Sequence, residues 1–135
     1  MKFPATIPHF KAAAGLTLAY ALVWMALEGA LWRDLILAAA VVALAVASLL
    51  LRFLGGRALS AGQWVAIAMV AGLIASVALP LVTLFLMALK TGLHAHGPEY
   101  TPQEIAWVWR QIPLWTLVGG IAGFGIGLLS AAKRT

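Results

Sequence analysis

Residues 61–89 read AGQWVAIAMVAGLIASVALPLVTLFLMAL, without one Asp, Glu, Lys or Arg. A hydrocarbon core about 30 Å thick needs roughly 20 mostly apolar residues of helix to cross it. This run is longer than that and lacks the alternation of a barrel strand. In lipid its backbone groups must be satisfied internally, so it reads as a membrane-spanning helix. The excess length means that it tilts or protrudes, and Pro80 is placed to kink it. Ser60-Ala61-Gly62-Gln63 at its start fits a capping box.

Three more stretches qualify as spans. The first runs from about Ala12 to Trp32, the second from Leu35 to Phe53, and the last from Leu114 to Ala132; the run quoted above is the third. Pro8 suits a first helical position. Trp32-Arg33-Asp34 reads as a tight hairpin between the first two spans, with Asp34 as N-cap. Gly55-Gly56 stops the second. The composition agrees: 64% of the 135 residues are hydrophobic against 10% charged, and the mean hydropathy is +1.01. Soluble domains carry roughly 25% charged residues, so a water-facing shell is missing. That excludes an ordinary soluble domain and a disordered tail. The first apolar stretch is too long for a signal-peptide core.

Between the third and fourth spans, Thr101-Pro102-Gln103-Glu104 is a second capping box, with proline at the first helical position. Ile105, Val108, Trp109 and Ile112 follow at i, i+3, i+4 and i+7, which makes one apolar face. The pattern predicts a short interfacial helix over about 102–112, lying flat and turning into the last span at Pro113. Trp32, Trp107, Trp109 and Trp115 are the expected interfacial anchors. The fold class is therefore an all-α integral membrane protein: one domain, residues 1–135, with four transmembrane helices in a small bundle plus that interfacial helix.

Nine Lys and Arg stand against four Asp and Glu, a net charge of +5. The charges sit at span ends and so read as topology signals rather than nucleic-acid contacts. Lys2, Lys11, Arg52, Arg57, Lys133 and Arg134 fall on one side. Arg33, Lys90 and Arg110 fall on the other with Asp34, Glu99 and Glu104. The positive-inside rule puts both termini in the cytoplasm and the third loop outside the cell membrane.

Four constellations are the candidates for function. Gly119, Gly123 and Gly127 recur every four residues; Ala68, Gly72 and Ser76 repeat the pattern in the third span, and Ala39, Ala43 and Ala47 in the second. Bare stripes of this kind let helix backbones approach closely, within the bundle or against another chain. Glu28 is a carboxylate about one turn inside the first span, either paired with Arg33, Lys90 or Arg110 or available to carry a proton. His94 and His96, near Glu99, form a weak zinc or copper motif that needs an extended loop. The hydroxyls in the spans are too thinly scattered to line a polar pathway, and each can bond back to its own helix backbone.

With no cysteine, thiolate zinc, cysteine-ligated iron–sulfur clusters and cysteine nucleophiles are excluded. The only other histidine, His9, lies at the opposite face, which excludes a haem held by two histidines across the membrane. No catalytic constellation is visible. The leading expectation is a non-catalytic accessory or structural subunit, packed in the bilayer against other membrane subunits or copies of itself. A proton- or cation-coupled transporter using Glu28 is the alternative. Metal or cofactor handling through His94 and His96 is the third.

Overall fold

The computed structural model describes residues 2–95 and 97–133, and it is helical: α1 (Phe10–Ala26), α2 (Leu31–Leu54), α3 (Ala61–Leu93) and α4 (Pro102–Ala132). Lys2 and Ala58 form an isolated antiparallel bridge, and no strand occurs among the described residues. α2, α3 and α4 are each long and apolar enough to cross a membrane. α1 has 17 residues, about 26 Å at 1.5 Å per residue. It nevertheless runs the length of α2, from a start beside Leu51 to an end beside Asp34.

Both capping boxes form. Ser60 Oγ accepts the Gln63 N–H at 3.2 Å and Gln63 Oε1 accepts the Ser60 N–H at 2.9 Å. Thr101 Oγ1 accepts the Glu104 N–H at 3.2 Å, and Glu104 Oε2 accepts the Thr101 N–H at 2.8 Å.

Pro8 precedes α1, whose N-cap is His9 and first residue Phe10, so it is not a first helical position; three further boundaries differ from the sequence expectation. First, α1 stops at Ala26 instead of continuing to Trp32. Its last carbonyls are taken by side chains from α3 and the residue after it: Lys90 Nζ donates to Trp24 O, and His94 Nε2 lies 3.2 Å from Met25 O. These groups cap a C-terminus that would otherwise carry unsatisfied carbonyls. Gly29 then passes against Glu99, where a Cβ would lie 2.7 Å from Glu99 Oε2. Glu28 therefore lies in the exposed link between α1 and α2, not inside a span.

Second, Trp32, Arg33 and Asp34 are the first turn of α2, not a hairpin. Ala30 is the N-cap and has no side-chain cap bond, so Asp34 is not the cap. Its carboxylate serves Trp24 instead. Third, no separate interfacial helix forms: α4 runs unbroken from Pro102 through Pro113. The proline costs one backbone hydrogen bond. Packing of the segment before it offsets that loss, since Val108 is fully buried among Met87, Tyr100 and Leu31. Ile105 and Trp109 stay exposed, so the predicted apolar face is only partly used.

The helices form an open row rather than a closed bundle. Each packs chiefly on its chain neighbours, α3 on α4 most extensively. The row closes only at the end where α1 and α3 finish and α2 and α4 begin, here called the polar end. There Trp24, Leu37, Ala38 and Leu86 form one core, with Tyr20, Ala21, Leu79 and Val82 packed around it.

Candidate functional site

The polar end gathers the buried charges. Asp34, Thr83 and Lys90 each have 0% exposure. Trp24 Nε1 donates to Asp34 Oδ1 at 2.6 Å, and Lys90 Nζ sits 4.4 Å from the centre of the same indole. One tryptophan thus joins α1, α2 and α3: its ring N–H serves the carboxylate, and its carbonyl and π-face serve the ammonium. Such a buried pair of opposite charges costs several kcal/mol of desolvation per ion. Removing one charge while leaving the other is therefore the damaging change.

Asp34 Oδ2 and the Tyr100 hydroxyl are both buried, lie close enough to interact, and form no well-aligned hydrogen bond. Burial, reinforced by the Asp34 carboxylate, pushes the Tyr100 phenol well above the ordinary tyrosine range and keeps it protonated. Thr83 donates to Leu79 O at 2.8 Å, a bond to its own helix.

Beside this core lies an ion pair that closes the α1–α2 link. His94 Nδ1 is 2.7 Å from Glu99 Oε1, and Glu99 Oε2 accepts the Gly29 N–H at 2.6 Å. Both His94 ring nitrogens face oxygen atoms, Glu99 Oε1 and Met25 O. This arrangement fixes a helix end and a link. Both Glu99 oxygens have partners within it, and no cluster of three metal-ligating side chains occurs among the described residues. His96, the other half of the metal motif, lies outside the described residues.

The remaining candidates are dispersed. Glu28 contributes its backbone carbonyl, which accepts from Arg33 Nη1 at 3.1 Å. Its carboxylate makes no ion pair among the described residues. Trp32, Trp107 and Trp109 are exposed near the polar end, with the Arg33 guanidinium 5.2 Å from the Trp32 ring. Trp115 is half-buried, edge-on to Trp107 at 6.0 Å.

The small-residue stripes meet each other. A Cβ on Gly72 would strike Gly119 O, and one on Gly123 would strike Ala68 O. A Cβ on Gly127 would lie 2.8 Å from Val65 Cα. The glycine face of α4 is thus spent on α3 inside the chain, with the backbones in contact. Gly125, on the other side, faces open space.

α2 and α4 do not close over this seam. They leave a groove of about 490 Å³, whose walls and floor include Ala39, Ala43, Gly72, Ser76, Ala122 and Gly123. Leu79 belongs both to this groove and to the core into which α1 packs. The groove thus borders, at Leu79, the core that the end of α1 shares with α2 and α3.

Sequence reasoning missed Trp24, Asp34, Lys90 and Tyr100 as a unit. Asp34 reads as a helix cap and Lys90 as a topology charge because each lies within a turn of a span boundary. The available signal was an opposite-charge pair just inside two apolar helices, with an indole one turn from the end of a third. The chain matches no protein-family model, no curated protein and no solved structure.

Proposed function

We propose that this chain is a non-catalytic accessory subunit of the cell membrane, whose α2–α4 groove receives one apolar transmembrane helix of a partner membrane protein. The observation that carries this reading is the groove itself. Small residues line it on three helices, and at Leu79 it adjoins the core where the end of α1 already packs on α2 and α3. Small-residue walls allow the close helix approach that drives association in lipid. In this reading all four helices cross the bilayer, both termini are cytoplasmic, and the α3–α4 link is outside. α1 makes its crossing with help from the extended link Leu27–Ala30.

The chain lacks cysteine, so single-cysteine variants are clean probes. Ala43→Cys and Ala122→Cys sit in the groove; Leu117→Cys and Ile121→Cys sit on the exposed side of α4. Cross-linking in native membranes should give one discrete heteromeric adduct from the groove positions and none from the exposed ones. Ala39→Leu, which fills the groove, should abolish the Ala122→Cys adduct. Equal labelling of both sets, or an adduct of twice 14.2 kDa, would overturn the proposal; the latter would make the occupant a second copy.

A further inference from the structure

The end opposite the polar cluster carries only cations among the described residues. Lys2, Lys11, Arg52, Arg57 and Lys133 lie there, contributed by the N-terminal segment, α1, α2, the α2–α3 link and the end of α4. All four acidic residues lie at the other end. None of these five cations has an ion-pair partner among the described residues.

The fold holds these charges together. Phe3 donates its N–H to Arg57 O at 2.8 Å, and Gly56 donates to Phe3 O at 3.1 Å. Lys2 bridges Ala58, and the Phe3 ring rests 5.3 Å from that of Trp64. Lys2 is thereby pinned to the link that bears Arg57. The pinned segment also walls a pocket of about 380 Å³ against α2, lined by Thr6, Ile7, His9, Phe10, Lys11 and Leu51. Ile7, Phe10 and Leu51 give it an apolar side; Thr6 and Lys11 give it a polar rim. Arg52 follows Leu51, with its guanidinium 5.8 Å from the Phe53 ring centre.

A pocket with an apolar side formed by Ile7, Phe10 and Leu51, a cation at its mouth and uncompensated positive charge around it matches one class of ligand. We infer that it holds an anionic phospholipid. The phosphate lies at Lys11, the acyl chain runs along Phe10 and Leu51, and Lys2, Arg52 and Arg57 supply the surrounding field. Basic pockets between membrane helices bind such headgroups, and each cation near the surface strengthens binding about fivefold. Free phosphate would leave the apolar wall unused.

The test is native mass spectrometry of the full chain, released from bilayers with equal phosphatidylglycerol and phosphatidylcholine of matched acyl chains. Phosphatidylglycerol should be retained in at least about fivefold excess. Lys11→Gln should cut that preference about fivefold. Adding Lys2→Gln and Arg57→Gln should cut it further. Arg110→Gln, at the polar end, should leave it unchanged. Equal retention by the unaltered protein would overturn the inference. So would a preference that survives the triple substitution, or one that millimolar inorganic phosphate removes.

Discussion

At the polar end, α1, α2 and α3 meet around Trp24, Asp34 and Lys90; along the middle, α3 and α4 are joined by glycines lying on backbone. The first junction is built from long side chains reaching across from distant parts of the chain. The second is built from their absence. The difference predicts different tolerances. A side-chain junction rearranges when one member changes, and its cost depends on which charge is left buried. A backbone junction has nothing flexible to move, so any added Cβ must push two helices apart.

Gly123→Val should therefore show the largest effect, about 3 kcal/mol or more of lost stability. Detergent unfolding followed by helicity would measure it. Gly125→Val, two residues away and facing open space, should cost less than about 0.5 kcal/mol. Equal losses at both positions would mean that the α3–α4 seam is not the tight contact described. Gly29→Ala probes the polar end in the same way. Its Cβ would meet side chains rather than backbone, the carboxylate and Cβ of Glu99 and the ring of Tyr100, so Glu99 shifts and loses the Gly29 N–H bond, at about 1–2 kcal/mol.

Alkaline titration sharpens the comparison further. In Tyr20→Phe the remaining tyrosine is Tyr100, and its folded-state ionisation is pushed upward by burial and by Asp34. Below about pH 10 the phenol is neutral in both the folded and unfolded states. As the pH rises past that value the unfolded chain ionises while the folded one does not, so stability falls. Phenolate absorbance should appear only with loss of helicity. Phenolate in the folded protein near pH 10 would show that Tyr100 is not enclosed. Glu28→Gln should have the smallest effect, within about 0.5 kcal/mol, because the side chain is exposed and makes no ion pair among the described residues. A larger loss would give that link a structural part it does not have here.

Much of this fold was legible locally. The two capping boxes are fixed by residues three apart, and the long apolar runs by their own composition. The stripes at Gly119, Gly123 and Gly127 and at Ala68, Gly72 and Ser76 were visible as stripes, but periodicity does not say which faces pair. What was not legible depended on residues far apart in sequence. α1 ends where it does because Lys90 and His94, 66 and 69 residues away from their acceptors, take its last carbonyls. Asp34 resembled a cap because it follows a span boundary, and only the position of Trp24 shows it to be a buried partner. Pro113 resembled a stop because nothing local reveals that Val108, five residues earlier, is held under Tyr100 and Met87.

The polar end is held by the coupling of Asp34 and Lys90 through Trp24. A double-mutant cycle with Asp34→Asn and Lys90→Met, read by unfolding in detergent–lipid mixtures, tests it. Lys90→Met alone should cost about 3 kcal/mol by stranding the carboxylate. The double variant should be more stable than the two single losses added together, with a coupling of at least about 1 kcal/mol. Losses that simply add would contradict that coupling and leave the two charges as independent buried groups.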